Sequence, residues 1–198
     1  MTKKLSSKIL TPEFKEKLGD LFRNMNKSQR ESISFLYYLA THDEKTGLYN
    51  NKFFENILEM EMEKAKRGQE NLCLFMIDLD FFKRVNEEHG HIKADEFLKR
   101  LAMILNKLVR KSDVVARFGG EEFFILLPQT NIEKAKNLTS RIRDAIKTDK
   151  ILAKNKITVS GGLVQYKKGD TKKSLKERTD RALYKAKNTG RDKFVAIE

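Results

Sequence analysis

Six consecutive apolar residues, Leu72-Cys73-Leu74-Phe75-Met76-Ile77, run directly into Asp78-Leu79-Asp80. The run lacks the alternation of a half-solvated strand and is far short of the roughly 18 apolar residues that suggest a membrane span. It therefore predicts a strand buried on both faces, in a sheet covered by helices. Cys73, the single cysteine, cannot form an intrachain disulfide and reads as a small buried thiol.

The rest of the chain supplies those covering elements. Residues 51 to 67 read as a helix with Phe53, Phe54, Ile57, Leu58 and Met62 on one face. A short helix starts at Phe81, and a longer one runs through Glu96 to Val109. Residues 113 to 118 and 121 to 127 are strands around Gly119-Gly120, a hairpin. A helix over 131–148, a strand over 156–166, a helix over 174–187 stopped by Gly190, and a strand over 194–197 complete the order. Helices alternating with strands around one central hairpin predict an α/β (α+β) chain with a central mixed or antiparallel sheet.

The first 42 residues read differently. Thr11-Pro12 suits a helix start, and Phe14, Leu18, Leu21 and Met25 follow a 4-3-4 spacing. The spacing continues through Ser28 and Ser32 to Phe35 and Leu39. Both a short coiled coil and a helix docked on its own domain fit this stripe. The pattern breaks at Gly47 and Asn50-Asn51, which divides the chain into a helical extension, 1–42, and a domain, 43–198.

Net charge is +13, from 41 basic and 28 acidic residues, and admits nucleic acid, an acidic membrane surface or phosphorylated ligands as partners. The charges are interleaved, as in Glu59-Met60-Glu61-Met62-Glu63-Lys64-Ala65-Lys66-Arg67, the pattern of a solvated helix face. No helix-turn-helix, zinc or RNA-stacking signature accompanies them, so nucleic acid is not expected as a partner. With no signal-peptide core and no membrane span, the expected location is cytoplasmic.

Asp78 and Asp80 stand two apart at a strand end, which predicts both side chains on one side. Glu121 and Glu122 follow the Gly-Gly turn at the start of another apolar strand. If the two strands are neighbours, three or four acids converge at one sheet edge. Such acids raise one another's pKa unless a cation neutralises them. Oxygen-only ligands suit Mg²⁺ or Mn²⁺ and phosphate chemistry. The plainer reading, acids that cap strand ends in water, weakens once both pairs are considered together. Lys83 lies five residues after Asp78, and Lys187 and Arg191 flank a helix end, where they serve either phosphates or the helix dipole. Asn86, His91 and Asp95 offer the groups that read a guanine edge. His89 reads as surface.

These residues resemble a family. Asp78-Leu79-Asp80-Phe81-Phe82-Lys83-Arg84-Val85-Asn86 with Gly90-His91 and Asp95, Arg117-Phe118-Gly119-Gly120-Glu121-Glu122-Phe123, Asp43 with Thr46-Gly47-Leu48-Tyr49-Asn50, and Asp180 through Gly190-Arg191 are similar to the four ordered blocks of the GGDEF diguanylate cyclases, in the GGEEF form. The resemblance implies a palm-like, nucleotidyl-cyclase-like fold and an enzyme that condenses two GTP into cyclic di-GMP across a homodimer. It implies that Asp78, the Leu79 carbonyl and Glu121 bind two Mg²⁺ or Mn²⁺ per site. Glu121 accepts the proton, with Glu122 beside it and Lys83 stabilising charge. Asn86, His91, Asp95 and Phe82 hold the nucleoside, and Lys187 and Arg191 its phosphates.

Arg110-Lys111-Ser112-Asp113 has the RxxD spacing and position of the family's product-inhibition site, and Arg141 is expected to face it. The chain departs from the family at Glu44-Lys45, Ala94, Ser160-Gly161-Gly162 and Asp192, none of them an implied metal or phosphate ligand. The family places a sensor upstream. Here it is absent, cut away or supplied by a partner. The competing expectations are a silent receptor domain, which the intact acids oppose, a nucleic-acid module, and a structural partner protein, which leaves the acids unexplained.

Overall fold

The computed structural model describes residues 23–68 and 71–197. The N-terminal part of the expected stripe, Thr11 through Leu21, lies outside the described residues. The chain divides between Ala40 and Thr41 into two units. In the first, helix α1 (Lys27–Thr41) starts at a reciprocal cap in which Gln29 N donates to Asn26 Oδ1 and Asn26 N to Gln29 Oε1. Its Phe35 and Leu36 are each 62% exposed.

The second unit contains β1 (Tyr49–Asn50), α2 (Asn51–Lys66), β2 (Leu72–Leu79), α3 (Phe82–Leu108), β3 (Val114–Gly119), β4 (Glu122–Pro128), α4 (Ile132–Thr148), α5 (Lys150–Lys154), β5 (Val159–Gln165), α6 (Lys172–Asn188) and β6 (Phe194–Ile197). The six strands form one sheet in the order β1-β3-β4-β2-β5-β6. The pairs β3–β4, β4–β2 and β2–β5 are antiparallel, and both edge pairs are parallel, so the sheet is mixed, as expected.

Strand β2 lies in the middle of this sheet, which explains its sequence. Cys73, Phe75, Ile77 and Leu79 point into one core, with Phe97 and Leu101 of α3 and Ile142 of α4. Leu72, Leu74 and Met76 point into the other, with Phe54 and Leu58 of α2 and Leu183 of α6. Two helical layers cover both faces, so neither parity of the strand meets water. Thr130 O accepts the Cys73 thiol, and burial pushes its pKa up to about 12, so Cys73 is inert packing.

Three local features differ from expectation. The two helices predicted after Phe81 are one element, α3, broken only at Gly90 (φ 77, ψ 160). The short α5 follows from Asp149, whose Oδ1 accepts from the amides of Ile151 and Leu152 while Oδ2 accepts from Arg100. The two-residue β1 is too short to leave a periodic signal.

Gly161 and Gly162 have a steric cause. A Cβ on Gly162 would overlap Thr179 O and Leu183 N of α6, and one on Gly161 would lie 2.8 Å from Met76 O. Helix α6 therefore packs against the backbone of β5, which brings its C-terminal turn to the end of β2.

Candidate active site

The site forms where β2 ends beside the β3–β4 turn. Their register pairs Asp78 with Glu122, and Leu79 N donates to Glu121 O across the same end. The arrangement brings Asp78, Leu79, Glu121 and Glu122 together. Asp78 is 4% exposed, and Lys187 from the last turn of α6 lies 2.8 Å from its Oδ2. Burial raises the Asp78 pKa. Lys187 opposes the rise, and the Glu121 and Asp80 charges add to it. Burial, then Asp78 and Glu121, likewise raise that of Glu122. The pocket therefore carries more negative charge than Lys187 balances, the condition that favours a bound cation.

Asp80 keeps the face of Asp78, as the spacing predicts, but its carboxylate is taken up by other partners. The strand ends at Leu79, and Asp80 turns towards β5, where Thr158 Oγ1 (2.8 Å), Ser160 Oγ (2.7 Å) and the Asp192 amide (3.1 Å) donate to its carboxylate. The antiparallel register runs one step past the strand, Asp80 N donating to Thr158 O, before the left-handed Phe81 (φ 56) ends the extended backbone. Asp78, Glu121 and Glu122 stand at the edge of the site, and the charge of Asp180 on α6 also acts on Glu122.

The turn itself is fixed from the side. Gly120 (φ 50) occupies a conformation that L-residues rarely adopt, and the β3–β4 register shifts between Arg117 and Gly119. Arg117 Nε and Nη2 both donate to Gly120 O, at 3.0 and 2.7 Å, while Nη1 donates to Asp43, which also accepts from Thr46 N and Oγ1. The opening block thus holds the signature turn through one guanidinium. Asp43 and Arg117 stand 74 residues apart, and no spacing rule links them.

The residues expected to hold the nucleoside lie along α3. Phe82 is half-buried, and its carbonyl accepts from Asn86 Nδ2. Asn86 Oδ1 lies 2.9 Å from His91 Nδ1 across the Gly90 break. Asp95 is held by Lys45, 2.9 and 2.8 Å from its two oxygens, so Lys45 takes part in this group although sequence reading treated it only as a departure. Lys83, 93% exposed, has its ammonium 4.0 Å from Glu87 and projects into solvent. Arg191 (φ 57) stacks its guanidinium 4.3 Å from the centre of the Phe81 ring.

Arg110, Asp113 and Arg141 meet elsewhere, around a cavity of about 210 Å³ that Leu108, Lys134 and Asn137 also line. Asp113 Oδ2 accepts from Arg110 N, which closes the RxxD turn. Burial raises the Asp113 pKa, with Arg110 opposing.

Among the described residues, no three acidic, histidine or cysteine side chains lie close enough to form a ready cage for a metal. Magnesium commonly takes one or two carboxylates and fills its shell with water and phosphate oxygens, so two acids and a carbonyl fit it. No helix among the described residues is long and apolar enough to cross a membrane.

Residues 40–193 match the family described as "Diguanylate cyclase, GGDEF domain". The chain is 36% identical over 191 residues to diguanylate cyclase DgcP of Pseudomonas aeruginosa, covering 92% of this chain and 28% of that protein. It is 38% identical over 161 residues to diguanylate cyclase DgcM of Escherichia coli K12, covering 81% and 39%. It thus spans well under half the length of either relative. The coiled coil and GGDEF domain of DgcB from Caulobacter crescentus, solved in complex with c-di-GMP, superposes with a TM-score of 0.80 at 28% identity, over 92% of this chain and 98% of that one. Members of this family depend on a divalent metal. With its four ordered motifs, its mixed sheet and its acid-lined strand ends, the chain belongs to the GGDEF family of diguanylate cyclases.

Proposed function

We propose that this protein condenses two GTP molecules into cyclic di-GMP and two pyrophosphates, and that Asp78 and Glu121 are the centre of that chemistry. The observation that carries the reading is the convergence of Asp78, Glu121 and Glu122 at one strand end with Lys187 against them. In each half-reaction the 3′-oxygen of one GTP bonds to the α-phosphorus of the other. The bond from that phosphorus to the bridging oxygen breaks, and pyrophosphate leaves. Glu121 accepts the 3′-hydroxyl proton. Asp78, the Leu79 carbonyl and Glu121 would hold two Mg²⁺ or Mn²⁺. When bound, those ions neutralise charge on the attacking and leaving oxygens. Glu122 supports the same centre, and Lys83 swings from solvent to meet charge in the transition state. Lys187 and Arg191 take the phosphates, while Asn86, His91, Asp95 and Phe82 hold the nucleoside.

One copy holds one GTP, so the reaction needs two copies facing each other. We assign residues 1–42 as the helical extension that brings them together, and 43–198 as the cyclase domain. The exposed Phe35 and Leu36 of α1 support that role. The Arg110, Asp113 and Arg141 cavity binds the product and limits the rate. Two or more donors converging on a phosphate suit arginine. Reliance on the cellular GTP supply places the protein in the cytoplasm.

The test is to incubate purified protein with GTP and Mg²⁺, identify the product by mass spectrometry, and run Glu121→Gln in parallel. Cyclic di-GMP from the wild type and none from the variant is the expected result. Wild-type protein that binds cyclic di-GMP yet forms none at any concentration overturns the reading in favour of a receptor.

A further inference from the structure

Three non-glycine residues beside the site have left-handed backbones: Phe81 (φ 56), Arg191 (φ 57) and Asp192 (φ 43). Such conformations cost an L-residue energy and persist only where surrounding contacts enforce them. For the Arg191–Asp192 turn, those contacts are visible. Arg191 N donates to Ala186 O at the end of α6. The Asp192 carbonyl accepts from Arg143 Nε at 3.1 Å, and its carboxylate lies 3.0 Å from Lys147 Nζ, both on α4. The Asp192 amide donates to Asp80.

Asp80 is the hub of this arrangement. It is 3% exposed, and no cation pairs with it among the described residues. A buried carboxylate without a counter-ion is costly unless several donors converge on it. Three do, from two otherwise separate segments: the Thr158 and Ser160 hydroxyls at the start of β5, and the Asp192 amide. Asp80 N also donates to Thr158 O. The residue after Asp80 is Phe81, and the residue before Asp192 is Arg191. Fixing Asp80 to Asp192 therefore brings the Phe81 ring under the Arg191 guanidinium, at 4.3 Å.

We propose that Asp80 is a positioning residue: its carboxylate locks the left-handed Arg191–Asp192 turn and holds Arg191 over Phe81 in the free protein, so that the guanidinium meets the nucleotide phosphates without first being ordered. The inference rests on the reading of Arg191 as a phosphate contact. Asp192 adds a second hold through its carboxylate on α4. Pre-ordering lowers the cost of binding rather than the barrier to reaction. The loss should therefore fall on nucleotide affinity rather than on kcat.

The experiment is calorimetric titration of the 198-residue protein with a GTP analogue carrying a methylene between the α- and β-phosphates, in Mg²⁺. The proteins are wild type, Asp80→Ala, Asp80→Asn, Arg191→Ala, and Asp80→Ala with Arg191→Ala. Loss of one charge-assisted phosphate contact weakens binding about tenfold. Arg191→Ala should show that loss, and Asp80→Ala should approach it. Asp80→Asn should stay within about twofold: its amide oxygen can still accept from Asp192 and Thr158, while its NH₂ donates to the rotatable Ser160 hydroxyl. The double variant should bind no more weakly than Arg191→Ala alone. Multiplying losses in the double variant, or wild-type affinity in Asp80→Ala, overturn the proposal. Wild-type affinity in Arg191→Ala refutes the phosphate reading instead. If Asp80→Ala does not fold, amide exchange decides on the wild type: a protected Asp192 amide is expected, and free exchange there overturns the lock.

Discussion

Arg117→Met is the perturbation whose consequence can be followed furthest. The Arg117 side chain is 10% exposed and makes two kinds of contact: two bonds to Gly120 O and an ion pair with Asp43, itself 24% exposed. Methionine keeps the length and apolar packing and removes every donor. Asp43 would retain Thr46 N and Oγ1 as donors, so it is not left stranded. Hydrogen bonds to charged groups contribute about 1.5–3 kcal/mol each, and partial exposure of the loop reduces their sum, which leaves about 3 kcal/mol for the whole substitution. For a chain of this size that lowers Tm by about 6–12 °C. The Gly120 carbonyl loses its only fixed side-chain partners among the described contacts, and the turn that carries Glu121 loosens. Misplacing a catalytic group by an ångström costs about 100-fold, so kcat should fall by about 10–100-fold. Thermal melts of metal-free protein, with initial rates of cyclic di-GMP formation well below the Tm, measure both. A variant that melts within about 2 °C of wild type and keeps its rate would refute the claim that Arg117 holds the turn.

Other substitutions probe separate parts of the molecule. Burial, then Asp78 and Glu121, raise the Glu122 pKa above its unfolded value, so folding favours the protonated form: stability is full below the unfolded pKa and is lost as pH rises through the folded one. Glu122→Gln should therefore melt higher than wild type at neutral pH in metal-free buffer, with the gain vanishing near pH 4. A variant less stable than wild type at pH 7 contradicts this. Gly162→Ala drives a methyl into Thr179 O and Leu183 N, which are backbone atoms that cannot rotate away, and should cost about 3 kcal/mol in urea unfolding. Unchanged unfolding would mean that α6 does not depend on that close approach. Arg110→Ala should leave the initial rate intact and raise the cyclic di-GMP concentration needed for half-inhibition by about tenfold or more. Unchanged inhibition would remove the regulatory role of the cavity.

The sequence by itself determined the middle of the fold and the family. Six uninterrupted apolar residues in β2 can be satisfied only where both faces are covered, and the Gly119-Gly120 turn between apolar segments can be little else than a hairpin. The acids, the glycines and the basic residues at the end of α6 lie in short ordered motifs, which is why the family was legible. Long-range pairing was not. Asp80 and Asp78 have the same sequence signal and share a face, yet one pairs with Glu122 across the strand end and the other is tied to Thr158, Ser160 and Asp192, because donors from the start of β5 and from the Asp192 turn converge on it. Asp43 meets Arg117, and Lys45 meets Asp95, only because the sheet and the first turns of α3 bring distant segments into register. Such contacts depend on where chain segments cross, which periodicity does not encode. Tertiary structure alone decided which carboxylates remain available for chemistry and which hold the site in place.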